Sequence, residues 1–89
     1  MIKYKKIYMD FFNLGEQDFI YCELHYIGLG ASIKSVDIHH IRHGANKVDN
    51  INNLMALCRE CHDKAHREHI CRNELEQIHG MFINNNPYV

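Results

Sequence analysis

"VDIHHIRHGANKVDNINNLMALCRECHDKAH", residues 36–66, carries five of the chain's eight histidines and two of its four cysteines. Its punctuation sets the fold. Ser35–Ile41 is short and rich in β-branched residues, which predicts a strand. Residues 42–52 hold a glycine and four Asn or Asp, the composition of a loop. Asn53–Cys58 reads as a second short strand, and Glu60–His69 follows as a helix. Strand, loop, strand and helix form a compact unit with metal-capable side chains at each end. Three arrangements fit those side chains: one metal site, two sites with different tasks, or a histidine-rich loop with neither.

Outward from this unit, Tyr4, Ile7, Tyr8, Phe11 and Phe12 recur at i, i+3, i+4, i+7 and i+8. That spacing predicts an amphipathic helix over about residues 3–13, with Met9 between the apolar positions. Asp18–His25 reads as an extended piece entering a turn, and Gly28 and Gly30 mark a further turn. Asn73 with Glu76 three residues on is a capping-box pattern for a last helix over about residues 73–83. Its inner face would be Leu75, Ile78, His79 and Phe82. Asn84–Val89 is a polar tail, expected to fray.

The chain of 89 residues has a formal charge of −1, so a strong overall field toward nucleic acid is excluded. Binding of that kind needs a local patch or a bound cation. No apolar run reaches membrane-spanning length, and no signal-like stretch follows the first lysines. The expectation is one domain, 1–89, in an intracellular setting where cysteines more often bind metal than form disulfides. At this length a metal is a common supplement to a small core.

Cys58-x-x-Cys61 supplies two thiols across a tight turn, and Cys22-x-x-His25 supplies a second pair at the same spacing. Together they make a closed Cys₃His set, the structural type of zinc site. Cys71 lies ten residues beyond Cys61, too far along a helix to share that ion, and is expected to be a small buried apolar residue. His62 and His66 stand at i, i+4 and face one way. With His39 from the preceding strand they give three ligands and open positions, the description of a catalytic metal site. Histidine as a residue type suits proton acceptance near neutral pH, which makes His40 a candidate to take a proton from an attacking water. A regular strand sends it to the face opposite His39, whereas a bulge brings both to one cleft. His43, His69 and His79 are read as solvated or core histidines.

The run "VDIHHI", then Asn53 in "NNLMALC", then "CRECH" resembles the HNH endonuclease family of ββα-metal nucleases. The three name letters fall on His40, Asn53 and His62. The resemblance spans about Phe19 to His66, with a motif core of 19–69. It implies a small α+β, treble-clef-like, zinc-stabilised domain with flanking N- and C-terminal helices. Many members carry two Cys-x-x-Cys knuckles, and His25 departs from that pattern.

Carried onto matching positions, the resemblance implies His40 as the general base that activates water. It implies His39 and His62 as holders of a catalytic divalent ion (Mg²⁺, Mn²⁺, Ni²⁺ or Zn²⁺), with His66 as a third ligand. Asn53 would pin the loop between the strands through side-chain-to-backbone hydrogen bonds. The substrate implied is DNA. Arg42, Lys47, Arg59, Lys64 and Arg67 lie in or beside the motif as phosphate contacts, Arg59 foremost. This reading leaves room for a homodimer, a larger partner protein, and a phage or mobile-element source. A rival from another class is a non-catalytic, zinc-stabilised module for nucleic-acid binding or interaction. Such a module has no need of His39, His40, Asn53 and His62 together, which favours the enzyme.

Overall fold

The computed structural model describes residues 2–44 and 47–89; Ala45 and Asn46, inside the loop expected at 42–52, lie outside the described residues. In chain order the elements are α1 (Lys3–Phe11), α2 (Glu23–Leu29), β1 (Asp37–His40), β2 (Leu54–Leu57), α3 (Arg59–His66) and α4 (Arg72–Asn84). A 3₁₀ turn, Ile51–Asn53, leads into β2. This is an α+β arrangement, a ββα unit flanked by N- and C-terminal helices.

β1 and β2 pair antiparallel, with Asp37 opposite Leu57, Ile38 opposite Ala56, His39 opposite Met55 and His40 opposite Leu54. Opposed residues share a face, and successive residues alternate. Asp37, His39, Met55 and Leu57 therefore point one way; Ile38, His40, Leu54 and Ala56 point the other. Each face has its own core. Met55 and Leu57 pack with Cys22, Cys58, Cys61, Ala65 and Leu75, while Ile38, Leu54 and Ala56 pack with Tyr8, Phe12 and Phe82. α4 reaches both cores, through Leu75 and Phe82. Burying a side chain as large as Phe82 is worth ~1.5–3 kcal/mol.

Five local expectations are corrected. Glu23–Leu29, expected as an extended piece and a turn, is a helix. Seven residues with an internal Gly28 carry a weak periodic signal, and the helix is held by its end: Gly30 at φ 64° lets the chain close over the carbonyls of His25 and Tyr26. α4 is capped at Cys71 rather than Asn73, because Glu76 is drawn to Arg42. Cys71 is consequently exposed, not buried. On α1, Met9 is buried and Phe11 is half exposed, so the inward face is rotated from the five-residue stripe. The tail does not simply fray: Tyr88 accepts a hydrogen bond from the Tyr21 N–H at 2.9 Å and packs its ring against Phe12, Phe82 and Tyr21.

A buried carboxylate ties three helices to the sheet. Glu23 is fully buried. It accepts from the Tyr8 hydroxyl at 2.5 Å, the Ala56 N–H at 3.0 Å and His79 Nδ1 at 2.6 Å. The other ring nitrogen of His79 faces the Ile51 carbonyl at 2.6 Å. With a carbonyl on one side and a carboxylate on the other, the ring's surroundings favour protons on both nitrogens. Burial alone would lower its pKa, but the hydrogen bond and charge of Glu23 outweigh burial and hold it above the usual histidine range.

Candidate metal centre and histidine cleft

Cys22 and Cys58 stand at the residue just before α2 and α3, and His25 and Cys61 follow within each helix. Each knuckle thus sits where a helix end offers positive potential to a thiolate. The four ligand atoms lie within 4.8 Å of one another. His25 Nδ1 stands 3.3 Å from Cys22 Sγ, 3.6 Å from Cys58 Sγ and 3.4 Å from Cys61 Sγ. Zn–S and Zn–N bonds at tetrahedral angles imply nitrogen-to-sulfur separations of roughly 3.5 Å. The donor set therefore fits zinc, and Cys22, His25, Cys58 and Cys61 are the residues that would hold it. The chemistry also calls for a cation: burial, and then the neighbouring Cys22, push the Cys61 thiol well up, and a bound cation would reverse that.

On the same face of the sheet a second cluster forms from β1, the following loop and α3. The ring centres of His39 and His62 are 5.1 Å apart, those of His39 and His43 are 5.2 Å, and those of His62 and His66 are 6.0 Å. His39 is buried and its pKa is lowered to about 4, first by desolvation and then by the surrounding His62, His43 and His66. It is neutral at ordinary pH and free to ligate. The ring nitrogens are looser than the thiol set, since among the described residues only the Cys22 cluster brings three or more ligand atoms within 4.8 Å. A cleft of about 440 Å³ opens beside them, with His39, His43, His66, Glu68, Arg72 and Asn73 among its lining residues.

Two residues of this region were not assigned to the site in the sequence reading, which left Asp37 aside and took His43 as a solvated or core histidine. Asp37 Oδ2 lies 3.2 Å from His62 Nδ1 and 3.4 Å from an Arg59 nitrogen. A carboxylate behind a histidine fixes its tautomer and presents the other nitrogen outward. Its signal was the i, i+2 relation to His39 on a strand. His43 is the other; desolvation and then the Arg72 charge lower its pKa. Its position after the strand, in a glycine-bearing loop, gave no periodicity from which to place it.

His40 takes the regular-strand alternative. It lies on the α1 face, 7% exposed, with Nε2 2.8 Å from Asp49 Oδ1 and its ring edge-on to Tyr4 at 4.6 Å. Asn53 is buried and makes three hydrogen bonds across the loop. Its Oδ1 accepts from the Arg42 N–H at 2.8 Å, and its Nδ2 donates to the carbonyls of Arg42 at 3.2 Å and Val48 at 3.1 Å. The five basic residues differ in surroundings. Arg42 is clamped by both oxygens of Glu76. Arg59 faces Asp37, and Lys64 lies 3.9 Å from Glu60. Lys47 and Arg67 are exposed.

A family model described as HNH endonuclease matches residues 20–68. That is more than half of the chain, and its span takes in the paired strands, α3 and the zinc ligands. The chain belongs to the HNH endonuclease family, a nuclease-type, metal-binding class of domain. No curated protein and no solved structure matches it. No helix among the described residues is long and apolar enough to cross a membrane.

Proposed function

We propose that this chain is a divalent-metal-dependent endonuclease that hydrolyses phosphodiester bonds in DNA. The observation behind the reading is a histidine cluster separate from the thiols: His39 on β1 faces His62 on α3 at 5.1 Å, with Asp37 behind His62. His39, His62 and His66 are the residues that would hold the ion. Such an ion would supply positive charge to the phosphate and to the leaving oxygen. Imidazole donors suit Zn²⁺ or Ni²⁺, and open positions admit Mg²⁺ or Mn²⁺.

The chain's own groups do the rest. With Nδ1–H directed to Asp37, His62 keeps Nε2 for the ion. His40 lies on the face of β1 opposite His39 with Nε2 against Asp49; as the last residue of the strand it would take a proton from the attacking water through Nδ1 at the strand's edge, not inside the imidazole cluster. Asn53 holds the chain after β1 in register with the entry to β2. Lys47, Arg59, Lys64 and Arg67 would contact flanking phosphates. Arg42 is the weakest of the five for that task, because it must first give up a two-point ion pair.

The test is plasmid cleavage with added Mg²⁺, Mn²⁺ or Ni²⁺ against a chelator control that leaves the structural zinc in place. His40→Ala should lose ~10²–10⁴-fold in rate with zinc content and circular dichroism retained. His62→Ala should raise the ion concentration needed. Cleavage that survives the chelator would overturn the mechanism. DNA binding without cleavage under every ion would instead indicate the non-catalytic module.

A further inference from the structure

We infer that His43 is a fourth imidazole ligand of the histidine cleft and biases it toward nitrogen-preferring cations such as Ni²⁺ or Cu²⁺. The inference rests on the divalent-ion reading of His39, His62 and His66. His43 closes a ring of four side chains. Its ring centre is 5.2 Å from that of His39 and 6.4 Å from that of His66. The remaining sides are 5.1 Å for His39 to His62 and 6.0 Å for His62 to His66.

An imidazole bound at ~2.1 Å puts its ring centre about 3.2 Å from the ion, so neighbouring rings stand roughly 4.5–5.2 Å apart and opposed rings about 6.4 Å. The two sides that meet at His39 match neighbouring ligands. The two that meet at His66 are about an ångström wider. His43 and His66 are both exposed, so rotation of these two side chains closes the ring without disturbing the core. His43 also lines the same cleft as His39 and His66. A set of three imidazoles accepts many divalent ions. A set of four favours the later first-row metals, whose affinity for nitrogen is greatest.

The measurement is calorimetric titration of the zinc-loaded protein with Ni²⁺, in wild type, His43→Ala and His62→Ala, with Cu²⁺ electron paramagnetic resonance to count bound nitrogens. Wild type should take one further tight equivalent. His43→Ala should bind Ni²⁺ at least ~10-fold more weakly, the lower end of what even an outer-shell loss costs. Its nitrogen count should fall by one. His43 is exposed, so this variant keeps its fold, and circular dichroism checks that. Loss of Ni²⁺ binding in His62→Ala with wild-type affinity in His43→Ala would overturn the His43 assignment alone. Wild-type affinity in His62→Ala, or no second equivalent in wild type, would overturn the three-histidine site and the His43 assignment together.

Discussion

Replacing His79 by alanine tests the buried charge network that joins the helices. His79 is 2% exposed and Glu23 is fully buried. The substitution removes the partner of Glu23 Oε1 at 2.6 Å and of the Ile51 carbonyl at 2.6 Å. The Tyr8 and Ala56 donors stay with the other carboxylate oxygen. Breaking a buried pair by removing one partner costs ~3–5 kcal/mol, because the remaining charge is uncompensated. Domains of this size hold ~5–15 kcal/mol in total, so the variant should be marginal. The melting temperature should drop on the order of 15–30 °C. The assay is urea and thermal denaturation followed by circular dichroism in zinc-saturated buffer, which holds the metal contribution constant. The sign of a second change is more telling. Glu23→Gln on the His79→Ala background removes the stranded charge while keeping an oxygen acceptor for Tyr8 and Ala56, so the double variant should be more stable than His79→Ala. A double variant that loses a further increment would refute the ion-pair account. The pH dependence has a definite direction as well. Since the folded pKa of His79 is raised, its contribution is fully present below the unfolded value and is lost as pH rises through the folded value. The gap between wild type and His79→Ala should therefore be widest in mild acid and narrow at higher pH.

Cys58→Ser should lose the tightly held zinc and unfold or melt far lower, whereas His25→Cys should keep the metal; elemental analysis beside a melting curve checks both. Asn53→Ala removes three hydrogen bonds from a buried side chain and should cost about 2–4 kcal/mol by urea denaturation, so a loss below about 0.5 kcal/mol would show the loop to be held by other contacts. Cleavage should fall as pH drops through the histidine range near ~6.5, with His39 not the limiting group, since its lowered pKa of about 4 keeps it neutral throughout. More metal should move that midpoint down, because metal and protons compete for ligating imidazoles; a midpoint indifferent to metal in rate–pH profiles would argue against the ligand set.

The local grammar of residues 36–66 determined a good deal alone. β-branched runs around an Asn- and Gly-bearing loop specify two short strands, and i, i+4 histidines on a following helix face one way whatever surrounds them. The thiols at Cys58 and Cys61, with Cys22 and His25 at the same spacing, announced a tetrahedral donor set, because chelate spacing is a property of a short stretch of chain. The flanking helices α1 and α4 were legible from periodicity, though the inward face of α1 and the start of α4 were not.

Tertiary contact decided what no local pattern encodes. α2 carries no strong stripe, and it exists as a helix beneath its Gly30 cap and around the buried Glu23. Glu23 carries no local signal of burial, and three donors from α1, β2 and α4, distant in sequence, make its burial tolerable. Asn73 and Glu76 spell a cap, but an arginine 34 positions before Glu76 competes for its carboxylate with a two-point ion pair. Tyr88 is anchored by aromatic partners that only the closed fold assembles. The register of His39 opposite Met55 and His40 opposite Leu54 sends the two neighbouring histidines to different faces. One joins the imidazole cluster over α3, and the other meets Asp49 and Tyr4 against α1. Strand periodicity made that separation conceivable, but only strand pairing without a bulge at these two residues made it the outcome, because a side chain's face is set by its partner strand and not by its own sequence.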